Sequence, residues 1–448
     1  MARGLTWFDI LRLALVQTAL GAMVVLTTST MNRIMVVELA LPAMLPGALV
    51  GLHYAVQMLR PRFGHGADGG RRRTPFIVGG MAVLALGATG AAVATALMGA
   101  DPALGMAAAT LAFLLIGVGV GAAGTNLLTL VATHVSENRR APAATLIWIM
   151  MIAGFALTTG LAGGFLDPYS PQRLIAVTGT VCAAALLISI VAITGIERRA
   201  APVSAAAGTA PKPAFETALA EVWREATARR FTIFIFVSML AYSAQDLVLE
   251  PFAGLVFHMT PGETTLLSSA QHGGVLAGMI LVALAGGLLS KRLPGLLRAL
   301  CVLGCLGAAA TLAALAVSGS YASGFPLTET VFALGLFNGI FAVSAISAMM
   351  ALAGEGGKAR EGVRMGLWGA AQAIAFGLGG FLGTVAVDAA GRLISSAAAA
   401  YGSVFAVEAV LFLVSGWLAL RAVGAGRQPR FAPAEMRTDD PSNLAVPA

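Results

Sequence analysis

Long apolar runs separated by short polar segments recur along the whole of this 448-residue chain. A helix needs about 20 apolar residues to cross the ~30 Å hydrocarbon core of a bilayer, and the runs have that length. The alternating segments of about ten residues that are typical of transmembrane barrels do not occur. The pattern therefore predicts an all-α membrane protein. Its twelve transmembrane helices are predicted near residues 12–34, 39–59, 75–98, 104–133, 143–166, 172–195, 231–257, 265–290, 295–317, 327–352, 363–388 and 398–421.

A long polar connection divides the twelve runs into two sets of six. It starts with the flexible stretch "APVSAAAGTAPKP" and continues into an amphipathic helix that has Phe215, Leu219 and Trp223 on one face. A 6+6 plan joined by a long cytoplasmic linker is typical of the major facilitator fold. The predicted parts are an N-terminal six-helix half at 1–196, a cytoplasmic linker at 197–230, a C-terminal six-helix half at 231–424 and a disordered cytoplasmic tail at 425–448.

Basic residues concentrate in alternate loops, so the net charge of +7 reflects the orientation of the helices in the membrane. One set of loops carries Arg71–Arg73, Arg139, Arg140, Lys291 and Arg292, whereas the opposite set holds Arg173 and Arg392. Because loops rich in Lys and Arg stay in the cytoplasm, both termini are predicted to be cytoplasmic. The lipid bilayer, and not a nucleic acid, is the partner that this charge pattern indicates.

The loop between the second and third runs partly matches a motif of the facilitators, G-x-x-x-D-R-x-G-R-R. The matching residues in "GHGADGGRRRTPF" are Gly64, Asp68, Arg72 and Arg73. Gly69 replaces the first arginine of the motif, and Arg71 replaces its inner glycine. That loop normally latches the two halves during alternating access, so these departures weaken the expectation of ordinary transport. A simple basic cytoplasmic loop is the alternative interpretation.

Two acids interrupt the seventh run, in "SAQDLVLEPF". Asp246 and Glu250 are four residues apart and share a helix face, and acids inside lipid are costly enough to be functional candidates. At 1.5 Å per residue from Phe231 they lie about 22 and 28 Å along the helix, in its periplasmic half. Arg33, about 30 Å along the first run, is the predicted partner in an inter-half ion pair or gate. Ligand contact and proton coupling are the alternatives.

Two stretches, "TSTMNRIMVVELALPA" and "SAQDLVLEPFAGLVFHMTPGETTLLSSAQHGG", resemble the PucC/LhaA family. This is the bacteriochlorophyll-delivery family of the major facilitator superfamily, found in phototrophic bacteria. Besides Arg33, Asp246 and Glu250, the family patterns N-R-x-M-x-V-E-L and Q-D-x-x-L-E-P include Asn32, Glu38, Gln245 and Pro251. The later P-G-E and Q-H-G-G patterns also match, and the likeness extends over essentially all twelve runs.

The resemblance implies an assembly factor for bacterial light-harvesting antenna complexes, which binds bacteriochlorophyll and delivers it to antenna polypeptides. A carotenoid is a further candidate ligand. The implied partners are the antenna α and β polypeptides and the reaction centre–antenna core complex. The implied location is the intracytoplasmic photosynthetic part of the bacterial inner membrane.

Two other functions compete with assembly. The rival is a proton-coupled exporter of a small amphipathic solute, with Asp246 and Glu250 as its proton-linked acids. A pigment-biosynthesis enzyme is disfavoured, because the sequence shows no nucleophile elbow, phosphate loop, zinc motif or clustered polar constellation. The chain is therefore predicted not to be an enzyme.

Two histidines inside the runs are candidate pigment ligands. A neutral imidazole can bind the magnesium of a tetrapyrrole, but a lone membrane histidine is also often a hydrogen-bonded helix contact. His272 is the stronger candidate, because Gly273 and Gly274 leave space beside it for a flat ring and Gln271 precedes it. His53, in the second run, is the weaker candidate.

Overall fold

The computed structural model describes residues 5–59, 72–199, 223–289, 293, 295–321, 324–355 and 358–423. These residues form twelve long helices and no strand, so the prediction of an all-α protein is confirmed. A short helical turn at Ile196–Arg199 follows the sixth helix. The long helices are α1 Trp7–Glu38, α2 Met44–Gln57, α3 Thr74–Met98, α4 Pro102–His134, α5 Glu137–Leu166, α6 Pro171–Ile193, α7 Ala226–Val256, α8 Pro261–Leu289, α9 Leu296–Ser318, α10 Leu327–Glu355, α11 Lys358–Leu393 and α12 Ala397–Ala422.

Eleven of these described helices are long and apolar enough to cross a membrane, as a multi-pass membrane protein requires. The exception is α2, which has 14 residues in the described part of the chain. The prediction started this helix at residue 39, but residues 39–43 form a turn in which Ala40 has a φ of 50°. Pro42 disfavours a helical conformation at Leu41, which explains the turn. Because apolar residues continue through the turn, a hydropathy pattern does not reveal it.

The first helix changes its winding near its end. Residues Leu26–Thr30 and Ile34–Glu38 are π-helical, and the three residues Met31–Arg33 between them are α-helical. The hydroxyls of Thr27 and Thr28 donate to the Val24 carbonyl at 2.7 and 3.3 Å, which competes with the regular ladder of backbone hydrogen bonds. Short π segments often occur at functional sites.

Each set of six helices has its own hydrophobic core. The first cluster draws on α1–α6 and the second on α7–α12, with Leu247 joining the first and Val36 and Ala43 joining the second. Glycines allow close backbone contact within a half, as where Gly274 and Gly278 of α8 meet α10. The domain boundaries at 196, 230 and 424 stay predictions. Most of the predicted amphipathic linker and all of the predicted tail lie outside the described residues, at 200–222 and 424–448.

Candidate functional site

The two halves meet at the end of the molecule where α1, α5, α7 and α11 finish and α2 and α8 begin; we call it the closed end. The end of α1 contributes four residues that form hydrogen bonds with the other half. Asn32 Nδ2 donates to the Leu247 carbonyl at 2.8 Å, and the Thr30 hydroxyl bonds to the Thr265 hydroxyl at 3.2 Å. Ser29 and Arg33 form the other two links. The family-motif residues of α1 therefore lie at the interface of the halves.

A chain of polar groups connects Glu250 with His272. The Ser29 hydroxyl donates to Glu250 Oε1 and is hydrogen-bonded to the Ser268 hydroxyl at 3.1 Å. The Ser268 carbonyl lies 2.8 Å from Nδ1 of His272. Two segments that the sequence singles out separately, the acids of α7 and the Q-H-G-G stretch of α8, thus share one polar cluster. The link between them is Ser29, which the motif analysis did not single out.

The second acid, Asp246, lies one turn before Glu250 on α7. Gln271 Nε2 of α8 approaches Asp246 Oδ1 at 3.5 Å, which is a long contact for a hydrogen bond. Asp246 is only partly covered, whereas Gln271 and Glu250 are buried. Asp246 is therefore the more exposed acid of this pair.

Arg33 does not form the predicted ion pair with Glu250 or Asp246. Its guanidinium pairs with Glu38 of the same helix, and its Nη2 donates to the Met259 carbonyl of the other half at 2.7 Å. In an α-helix, side chains five residues apart point about 140° away from each other. In a π turn, whose hydrogen bonds connect residue i with i+5, the smaller rotation per residue brings them to about 50° apart, on the same side of the helix. The π segment Ile34–Glu38 thus gives Arg33 a partner on its own helix.

The Arg33 side chain still fastens the two halves. A Cβ atom placed on Gly254 of α7 would lie 3.1 Å from Arg33 Nε, so the guanidinium fills the space that this glycine leaves. The arginine side chain is 3% exposed and that of Glu38 is 33% exposed. In place of the predicted inter-half ion pair, the halves are joined here by the hydrogen bond from Arg33 to the Met259 carbonyl and by the Ser29–Glu250 hydrogen bond.

The geometry of His272 suits a ligand on its second ring nitrogen. Because Nδ1 faces a carbonyl oxygen, Nδ1 carries the proton and Nε2 keeps its lone pair. The ring packs edge-on against Phe155 of α5, with centroids 5.1 Å apart, and the residue is partly exposed. A Cβ at Gly273 would meet nothing within 4 Å. Gly274 was predicted to leave similar space, but this is wrong, because its α-carbon packs against the Phe332 carbonyl of α10.

His53 is not placed to hold a large ligand. The residue is 1% exposed, its Nδ1 lies 2.7 Å from the Val50 carbonyl, and its ring packs on that of Tyr54. A magnesium tetrapyrrole needs an accessible ring nitrogen and room for the macrocycle. The prediction of His53 as a pigment ligand therefore does not agree with its enclosure by protein.

The facilitator-type loop is described only at its end. Gly64 and Asp68 lie outside the described residues, and Arg72 is exposed. The backbone N–H groups of Arg73 and Thr74 donate to the Glu197 carboxylate at 2.7 and 2.9 Å. This part of the loop is therefore anchored to the helical turn Ile196–Arg199 that follows α6.

Four buried polar side chains of the C-terminal half have no hydrogen-bond partner among the described residues. They are Gln245 of α7, Asn338 and Ser344 of α10 and Glu408 of α12. Glu408 is close enough to Asp246 for the two carboxylates to interact electrostatically. The sequence shows Glu408 only as an isolated acid in an apolar run, because its neighbour is 162 positions away. In the described residues, no three His, Cys, Asp or Glu side chains form a group that could hold a metal ion.

The architecture is the major facilitator fold. The structure of a bacterial homologue of the human lysosomal transporter Spinster superposes with a TM-score of 0.70 at 15% identity, covering 94% of this chain and 98% of that one. A peptide transporter, POT, gives 0.68 at 15% identity, covering 94% and 97%. These neighbours confirm the predicted facilitator fold.

Within that class, the chain belongs to the PUCC protein family, which matches residues 30–426. The "Bacteriochlorophyll synthase 44.5 kDa chain" of Rhodobacter capsulatus is 51% identical over 428 residues, covering 95% of this chain and 98% of that protein. "Protein PucC" of the same organism is 30% identical over 431 residues, covering 91% and 90%. "Protein PucC" of Cereibacter sphaeroides is 31% identical over 397 residues, covering 82% and 81%. The resemblance to the PucC family is therefore confirmed.

Proposed function

We propose that this protein is an assembly factor for bacterial light-harvesting antenna complexes, which binds bacteriochlorophyll and delivers it to antenna polypeptides. The observation that carries the proposal is His272, whose Nδ1 is held by the Ser268 carbonyl so that Nε2 keeps its lone pair, and whose neighbour Gly273 has open space where a side chain would stand. The proposal is supported by membership of the PUCC family and by a 51% identical relative named as a bacteriochlorophyll synthase chain.

The residues around His272 fit a magnesium tetrapyrrole in their chemistry. The bound pigment would supply a light-absorbing macrocycle and a magnesium ion that accepts a nitrogen ligand. His272 would be that ligand, and the Ser268 carbonyl would keep the ring in the required tautomer, as the partners of metal-binding histidines usually do. Phe155, which packs against the His272 ring, would contribute an apolar wall to the site. Asp246 and Glu250 would close the polar side of the site.

The partners would be single-span antenna α and β polypeptides, which meet the protein within the bilayer. Gly79, Gly124 and Gly164 have open space where a side chain would stand. Small residues of this kind let a further helix approach closely. The membrane would be the intracytoplasmic photosynthetic membrane, with both termini in the cytoplasm.

Purification from phototrophically grown cells in mild detergent tests pigment binding. The wild-type protein is expected to carry near-infrared absorption, which His272→Ala and Gly273→Leu should both remove. Gly286→Leu is the matched control, because Gly286 also has open space beside it but lies 14 residues beyond His272 on the same helix, α8. A colourless wild-type protein, or unchanged antenna levels after deletion of the gene, would refute the proposal.

A proton-coupled exporter of a small amphipathic solute is the second candidate. Glu408 favours it, because this carboxylate is 2% exposed, lies near Asp246 and has no hydrogen-bond partner in the described part of the chain. Intramembrane acids of this kind are typical of proton pathways. Solute uptake into vesicles that depends on a pH gradient and is lost in Glu408→Gln would favour export over assembly.

A further inference from the structure

Two aspartates each contact the first turn of a helix in the opposite half. Asp388, near the end of α11, accepts the backbone N–H groups of Ala43 and Met44 at 2.9 and 2.8 Å, one on each carboxylate oxygen. Asp167 directly follows α5 and accepts the N–H of Gly262 at 3.1 Å and the hydroxyl of Thr260 at 2.5 Å. Each aspartate thus contacts the start of α2 or α8 across the boundary between the halves.

The two contacts occupy corresponding positions in the two six-helix halves of the fold. Helices α5 and α11 are the fifth helices of their halves, and α2 and α8 are the second helices. Glycines bring both pairs together: a Cβ at Gly262 would clash with the Asp167 carboxylate, and one at Gly47 of α2 would clash with Thr384 of α11. The fifth helix of each half therefore supplies a carboxylate to the second helix of the other.

The start of a helix needs such an acceptor. Its first N–H groups have no partner within the helix, and its N-terminus carries a partial positive charge that attracts a carboxylate. The residue before α2 is Ala43, which has no side-chain acceptor of its own. Helix α8 has a local cap, because Thr260 and Glu263 exchange hydrogen bonds with each other's backbone. The start of α2 therefore depends more on the other half than the start of α8 does.

We propose that Asp167 and Asp388 form a reciprocal latch that holds the closed end shut. Separating the halves at this end removes the cap from α2 and from α8 in the same movement, so each cap stabilises the closed arrangement of both. The loss of one N-cap corresponds to about a five-fold shift toward the open arrangement, and the loss of both to about a thirty-fold shift. This latch does not depend on which ligand the protein carries.

Amide hydrogen exchange in lipid nanodiscs tests the latch through its remote effect. In Asp388→Ala, the amide of Gly262 keeps its own cap, yet it is expected to exchange about five-fold faster because the halves separate more often. In Asp167→Ala, the amides of Ala43 and Met44 should respond in the same way, although less strongly because Thr260 still caps α8. The double variant should show the product of the two effects at both helix starts, at most about thirty-fold faster exchange.

Asp101→Ala is the matched control. Asp101 caps α4 within its own half, through the N–H groups of Ala103 and Leu104. Its removal should accelerate exchange at α4 and leave the starts of α2 and α8 unchanged. Effects confined to the helix next to each substitution, or an equal remote effect of Asp101→Ala, would overturn the latch.

Wild-type exchange provides a second test if the alanine variants do not fold. The latch requires the amides of Ala43, Met44 and Gly262 to open together, with one common opening constant. The variants Asp167→Asn and Asp388→Asn keep one acceptor oxygen and should show smaller remote effects than alanine. Unequal opening constants at the two helix starts in the wild-type protein would refute the proposal.

Discussion

The π-helical end of α1 predicts that Arg33 is coupled energetically to Glu38 and much less to Glu250. Removing one partner of a fully buried ion pair typically costs about 3–5 kcal/mol. The Arg33 side chain is 3% exposed, but that of Glu38 is 33% exposed, so solvent screens part of the interaction. We therefore expect Glu38→Ala to lower the free energy of unfolding by about 2 kcal/mol, because it leaves Arg33 buried with only the Met259 carbonyl.

Two double-mutant cycles measure this difference. Equilibrium unfolding in mixed micelles would be followed for Arg33→Ala, Glu38→Ala and Glu250→Ala, and for the two pairs that include Arg33. The Arg33/Glu38 coupling should be about 1–3 kcal/mol, whereas the Arg33/Glu250 coupling should be below about 0.5 kcal/mol. A larger coupling to Glu250 than to Glu38 would refute the argument that the π turn selects the partner of the arginine.

Two further predictions concern packing and pH. Gly274→Ala should destabilise the protein by about 1–3 kcal/mol, because the added methyl group would clash with the Phe332 carbonyl. Gly273→Ala should be close to neutral, because a methyl group there meets open space. Thermal unfolding compares the two variants, and equal effects would contradict the packing argument. Tyr169 lies between the membrane-spanning segments α5 and α6. Burial is the main cause that raises the pKa of its hydroxyl; the Glu38 carboxylate raises this pKa further, and the Arg33 guanidinium lowers it by a smaller amount. A raised folded-state pKa stabilises the protein below the unfolded value of about 10, and this contribution is lost as the pH rises through the folded-state pKa. Tyr169→Phe should therefore reduce the alkaline loss of melting temperature, and an unchanged pH profile would contradict this assignment.

The helices and the family were predictable from the sequence by itself. In lipid every backbone polar group must be satisfied within the segment, so an apolar run of about 20 residues has few alternatives to a helix. The motif residues from Asn32 to Glu38 and from Gln245 to Pro251 stand close together in the chain, so they are recognisable without a structure. The same local patterns did not reveal the turn at Ala40 or the π segments of α1, because apolar letters continue through both.

The partners of the polar side chains were decided only by the tertiary structure. Asp388 lies 345 residues from Ala43 and Glu250 lies 221 residues from Ser29, so no local pattern connects them. The packing of the two halves brings these groups together, and small changes of helix winding select among several candidates. A buried charge pairs with the nearest partner that the fold provides, and for Arg33 that partner is Glu38 on its own helix. In the regular α-helix that the sequence predicts, the Glu38 side chain would point away from Arg33, and the π segment brings it to the same side.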